Sequence, residues 1–322
     1  MKFGPVPVEQ AAGKILAHNH TNADGRRAFR KGFVVRGEDL AALREVAGDI
    51  VYVAELETDD VHEDEAARRL ARAVAGPEVR LGPAAGGRVN LLAEARGLLK
   101  LDVARLNSIN EIDGLTVATL FENAVVEPKK IVATAKVIPY AVSEASLRRA
   151  ETFAGTLVRV EPLPVRRVGV ILTSSDAGRA RTIEVLDGPI RSRVQELGSE
   201  VTALLAVGHT ETAVTEAIQT LCAQGVDAMI IAGETSIMDV NDITPRGIVA
   251  AGGQIEGYGV PAEPGNLLLL AYLGSQPVLG APGCVRSRHT NVVDLVLPRL
   301  LAGERLTRKD LAALGHGALF QE

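Results

Sequence analysis

The second half of the chain alternates two kinds of apolar pattern. Short strand-like runs at residues 168–172 (unbroken), 200–207 and 226–231 are separated by stretches of helical spacing at 188–197 and 210–224. An unbroken run of Val, Ile and Leu predicts a strand covered on both faces, as in a parallel sheet. Thr244-Pro245 open a further helix with proline in its first turn. Residues 254–258 and 277–280 read as strands, and 292–301 as a closing helix. Strand–helix repetition of this kind predicts a three-layer α/β domain with a mostly parallel sheet.

The first half is less regular and predicts smaller α+β units. Residues 8–16 read as a short helix or the approach to one, and Asn22-Ala23-Asp24-Gly25 as a hairpin turn. Leu40, Leu43 and Val46 share a helical face after Glu38-Asp39. Residues 49–56 read as a strand and 60–74 as a helix. Gly76-Pro77 and the glycine-rich residues 81–87 break the pattern. Strands at 97–102, 115–119 and 130–139 follow, with helices at 103–110 and after Ser143 as cap. Glu161-Pro162-Leu163-Pro164 is the clearest linker. The expected division is therefore 1–75, 76–160 and 165–322.

Composition narrows the function. Hydrophobic residues make up 47% and aromatics 3%, with no Trp, so Ala, Val and Leu must fill the core and base-stacking platforms are not expected. A formal net charge of −5 argues against nucleic acid as partner. Cys222 and Cys284 offer neither a disulfide framework nor a CxxC pair, and the six histidines do not cluster. No stretch approaches about 18 uninterrupted apolar residues, and the opening MKFGPVPVEQ lacks the apolar run of a signal peptide. The expectation is a soluble, cytoplasmic protein with no membrane partner.

Ligands of such domains bind beyond the carboxyl ends of the strands. Four loops fall there. Thr173-Ser174-Ser175-Asp176 offers three hydroxyls and a carboxylate for a phosphate, sugar or base edge, or equally a capped turn into a helix. The segment AGETSIMDVNDITP, residues 232–245, joins Gly233, Thr235 and Ser236 to Asp239, Asp242 and Thr244. A glycine and hydroxyls before a helix start suit an anion, and Asp239 and Asp242 suit a metal or a ring's donors. Its other reading is an ordinary connection with Asp242 as N-cap. Pro264-Gly265 is by itself a turn signal. GAPGCVRS, residues 280–287, brings Pro282, Gly283, Arg286 and Ser287, with Arg286 and Ser287 able to meet an anion. Cys284 has no His or acid beside it in sequence and is not read as a nucleophile.

Taken in order, these loops make residues 167–302 resemble the molybdopterin-binding domain of molybdopterin adenylyltransferase, molybdopterin molybdenumtransferase and gephyrin. VGVILTSSDAG resembles the adenylyltransferase's first strand and Ser-Asp loop, and Asp187-Gly188-Pro189 its Asp-Ser-Gly-Pro. AGETSIMDVNDITP resembles its Gly-Gly-Thr-Gly segment and the Arg-Asp-Val-Thr-Pro that follows. GGQIEGYGVPAEPGN and LGSQPVLGAPG are similar to the molybdenumtransferase's Pro-Gly-Lys-Pro loop region and its Leu-Gly-Gly-Lys-Pro-Val-Phe-Gly-Leu-Pro-Gly run. The chain departs from that pattern at Ala232 and Glu234, at one extra residue before Asp242, at Asn266-Leu267 and at Cys284-Val285. Residues 6–18 resemble the molybdenumtransferase's opening loosely, and its Asp-Gly-Tyr-Ala-like motif is absent.

The resemblance implies a protein of molybdenum-cofactor biosynthesis that binds molybdopterin or the molybdenum cofactor, a pterin carrying a terminal phosphate. As a transferase it would carry out Mg-dependent adenylyl transfer from ATP or molybdate insertion. Asp242 and Asp239 would then be catalytic and hold Mg, while Thr173, Ser174, Ser175, Asp176, Gly233, Thr235, Ser236, Thr244, Pro264, Gly265, Pro282, Gly283 and Ser287 would bind the cofactor. The alternative is a non-catalytic binding or carrier protein; a third reading, from fold analogy alone, is an enzyme of nucleotide metabolism. Partners implied are the pterin phosphate, molybdoenzymes or other cofactor-assembly proteins, and further copies of the chain in a homo-oligomer.

Overall fold

The structure is a computed structural model and describes residues 1–320. The chain divides at Glu161/Pro162 into two units, each with its own cores.

The apolar run at 168–172 lies within β1 (Arg167–Ser174), whose last seven residues are all buried. It leads through α1 (Arg179–Glu196) to β2 (Glu200–Gly208), then through α2 (Glu211–Ala223) to β3 (Ala228–Gly233). Next come α3 (Ile243–Ala250), β4 (Gln254–Tyr258), β5 (Leu269–Leu273), β6 (Gln276–Gly280), α4 (Val292–Ala302) and α5 (Arg308–Ala313). The sheet order is β2-β1-β3-β6-β5-β4. β2, β1, β3 and β6 run parallel, while β5 is antiparallel to both its neighbours. The fold class is thus the expected layered α/β.

Alternation along the strands sends successive side chains to opposite faces. Val168, Val170 and Leu172 meet Leu186, Ile190 and Val194 of α1 and the apolar stripe of α4. Ile171, Met229 and Ile231 meet Val214, Ile218 and Leu221 of α2 and Ile248 of α3. Gly169 permits the second packing, because a Cβ there would lie 2.7 Å from Leu221 Cδ1.

Two elements differ from the sequence expectation. The helix expected at 188–197 begins nine residues earlier and carries Gly188-Pro189 in its interior. The strand β5 lies where the sequence reading assigned no element; its Leu269, Leu270 and Ala271 are fully buried.

In the first unit, residues 2–7 form a strand paired with Ile50–Glu55, and only Val8–Gln10 make a short 3-10 turn, in place of a helix over 8–16. Asn22–Gly25 does turn a hairpin between His20–Thr21 and Arg27–Phe29. The helix Glu63–Val74 buries Ala66, Ala67, Leu70, Ala71 and Val74 against Val89, Leu91, Ala133 and Ala135. One core therefore runs across residues 75 and 76, where the sequence had suggested a break, because that helix has its apolar partners on the later strands.

Candidate functional site

β1 leads to β2 on one side, and β3 then lies on the other, so the carboxyl ends of β1 and β3 flank a topological switch point. Crevices of this kind are where open α/β sheets take ligands. Thr173 pairs in register with Gly233, and the ladder continues through Glu234 N–H donating to Thr173 O at 2.9 Å. Gly233 has no room for a Cβ, which would run into Thr173 Oγ1.

One residue past the strand, Glu234 reaches across to the first loop. Its Oε2 accepts the Ser175 amide and the Ser175 hydroxyl, each at 2.9 Å. Ser175 Oγ in turn accepts the Gly178 amide at 3.0 Å. Gly178 is the N-cap of α1, and a Cβ on it would lie 2.5 Å from Glu234 Oε1. The two Ser175 hydrogen bonds hold the Glu234 carboxyl below its ordinary pKa, with a smaller contribution from His209. His209 also places Nε2 3.5 Å from Thr235 Oγ1.

Beside this contact lies an open cleft of about 250 Å³, lined by Arg181, Thr182, Val185, Gly233, Glu234 and Arg286. Arg286 is exposed and anchored by its Nε on Gly283 O at 2.7 Å. Ser236 faces Gly283 closely enough that a Cβ on the glycine would lie 2.9 Å from Ser236 Oγ. Loops after β1, β3 and β6 therefore converge.

The last of these loops is held from behind by Arg193, only 7% exposed. Its guanidinium donates to Val285 O (3.1 Å), Ser287 O (2.8 Å) and His289 O (3.1 Å), and meets Asp294 Oδ1 at 2.8 Å. Asp294 also accepts the Asn291 amide in the capping box of α4. Burial raises the Cys284 thiol pKa, which leaves it a neutral packing group at pH 7.

The remaining expected residues lie elsewhere or serve the backbone. Asp242 caps α3: Oδ1 accepts Ile243 N–H at 2.7 Å and Oδ2 accepts Met238 N–H at 3.1 Å. Asp239 Oδ1 accepts both the backbone and side-chain nitrogens of Asn241. Their charges meet Tyr258, whose phenol pKa is raised by burial first and then by Asp239 and Asp242. Thr244 is buried in the first turn of α3, and Asp176 pairs with Arg179 at 2.6 Å. Gly265 packs against Val292, and Glu263 beside Pro264 bonds Ala318 and Phe320, away from the cleft's lining. Among the described residues no group of three His, Cys, Asp or Glu is placed to hold a metal ion. Both Asp239 and Asp242 accept amides of their own loop.

A larger cavity of about 420 Å³ lies at the amino ends of β1, β3 and β6, away from the switch point. Its arginines serve the fold: Arg166 Nε donates to Leu301 O and Arg305 Nη1 to Gly274 O, both at 3.0 Å, and Arg305 stacks over Tyr272 at 4.2 Å. The smaller cleft at the switch point is the candidate site.

Residues 5–55 match a family described as a domain of unknown function (DUF8806). No curated protein sequence matches the chain. Among solved structures, the chain is similar to the molybdopterin biosynthesis moea protein from Pyrococcus horikosii, at 12% identity over 94% of this chain and 75% of that one, with a TM-score of 0.33. It is also similar to the molybdopterin biosynthesis enzyme MoaB from Thermus thermophilus, at 21% identity over 44% and 98%, TM-score 0.32. The protein CinA from Thermoplasma acidophilum, of unknown function, matches at 13% over 38% and 90%, TM-score 0.32.

Proposed function

We propose that the C-terminal unit is a binding module for molybdopterin or a cofactor derived from it, acting in molybdenum-cofactor assembly as a carrier rather than as a transferase. The observation that carries this reading is the cleft itself. Gly233, Thr182, Arg181 and Arg286 surround a space at the switch point, built from loops whose sequences resemble the molybdopterin-binding domain. At about 250 Å³ the cleft would hold one end of such a ligand rather than enclose it, since sites that enclose small molecules run from roughly 300 to 1,000 Å³. The engagement of Asp239 and Asp242 with backbone amides favours binding over Mg-dependent transfer.

The test is the mass of the small molecule released from the purified full chain, followed by titration of that molecule into Arg286→Ala. A charge-assisted hydrogen bond is worth roughly 1.5–3 kcal/mol, so binding should weaken about tenfold or more. Release of no pterin, or an Arg286→Ala chain that binds as well as the parent, overturns the reading. Turnover of ATP in the presence of the bound pterin would restore the transferase.

A further inference from the structure

The first turn of α1 is built against the helix dipole. A helix N-terminus carries partial positive charge and favours acids, yet this one has no acidic residue in its first turn and carries Arg179 and Arg181 there. Among the described residues it also has no side-chain cap. Two buried polar atoms beside it have no hydrogen-bond partner among the described residues: Ser174 Oγ and Arg179 Nε. Ser174 is 1% exposed and, two residues after Leu172, points to the face on which α1 packs. Donors thus gather at one corner: Arg179 and Arg181 pair with the exposed Asp176 and Glu184 on the outer side, while the Glu234 carboxylate is laid on Ser175 and against Gly178.

We propose that this corner is an anion seat for a phosphate monoester or carboxylate on the ligand, and that Glu234 is its resident stand-in, which a bound ligand must displace. Ser175 gives Glu234 Oε2 an amide and a hydroxyl, the same pair of donors an oxyanion would take from a loop entering a helix. Glu234 is delivered by the register of β1 with β3, and it is exposed, so its side chain can swing toward solvent without breaking a core contact. The cleft opens directly from Glu234 and Gly233, which gives an arriving ligand its path. Glu234 therefore sets specificity: a weakly held anion fails to compete with a tethered carboxylate, and a ligand that also engages Arg181 and Arg286 succeeds.

The inference uses the same cleft as the proposed function but does not depend on a pterin, and its test uses inorganic phosphate. Phosphate is titrated into the full chain and into Glu234→Ala, following the backbone amide resonances of Ser175 and Gly178. Expected are saturable shifts of both amides in Glu234→Ala at phosphate concentrations at least tenfold lower than in the parent. Glu234→Gln, which keeps shape and loses charge, should fall between the two and serves if Glu234→Ala does not fold. Equal phosphate dependence in the parent and in the folded variant, or shifts confined to other amides, overturns the proposal. Neither result bears on whether a pterin co-purifies, so the two readings fail separately.

Discussion

Glu234 and Asp242 are two carboxylates in one connection with opposite fates. Glu234 stands one residue past β3, where the strand register sends it to a neighbouring loop. Asp242 turns back on its own segment and caps α3. The sequence left Asp242 open between ligand and cap, because both uses favour an acid just before a helix. Asp242→Ala should therefore destabilise the protein by about 0.5–2 kcal/mol, as for loss of an N-cap. A denaturant melt checks this; unchanged stability with lost ligand binding would make it a ligand contact instead. Glu234 was visible only as a departure from a family pattern, since its partner Ser175 lies 59 residues away. Ser175→Ala removes the hydroxyl that helps hold the Glu234 pKa down, while the amide remains. The carboxyl should then titrate nearer its ordinary value of 4.5, as read by carboxyl carbon resonances. An unmoved titration would mean that the hydroxyl contributes nothing to the seat.

At the scale of elements, α1 shows how tertiary packing overrides a local signal. The expected helix opens at Gly188-Pro189, a pair suited to a helix start, so the nine residues before it were not read as helical. The helix continues because Leu186, Ile190 and Val194 lock one face onto β1 while the proline sits partly exposed. Missing those residues hid Arg181 and Thr182, which line the cleft, and the basic first turn that marks the anion corner. Arg193, further along the same helix, carries no motif that singles it out in the sequence. It is the buried tie of the loop after β6, bonded to three of its carbonyls and to Asp294. Removing one partner of a buried pair costs about 3–5 kcal/mol, and the partial exposure of Asp294 puts Arg193→Ala at the low end, about 3 kcal/mol. Arg193→Lys should recover little, because an ammonium cannot span the fork of acceptors. Urea melts measure the loss, and amide exchange through residues 283–291 should rise in both variants. A loop that stays protected would show that α4 alone holds it.

Across the whole chain, what was legible followed periodicity. The parallel strands, α2, α4 and the hairpin turn at residues 22–25 carry local patterns strong enough to survive their surroundings. β5 was not read, because a run of leucines fits a buried strand and a buried helix equally well. The extent of the first core was not read either, because the helix Glu63–Val74 finds its partners far along the chain. That helix also carries Arg69, which bridges to Glu144 at 2.7 Å and Glu151 at 2.8 Å on the helix Glu144–Thr152. Arg69, and then Arg148, pull the Glu144 carboxyl from 4.5 down to about 2. A carboxyl whose folded pKa is depressed stabilises the fold above its unfolded pKa and loses that contribution as pH falls through the folded one. The first unit should therefore weaken between about pH 4.5 and 2, with the two helices gaining amide exchange together. Glu144→Gln removes the titrating group, so its stability should start lower at neutral pH and change less across that window. Matching acid profiles for the variant and the parent would mean that the bridge adds nothing to stability and that other carboxylates drive acid unfolding.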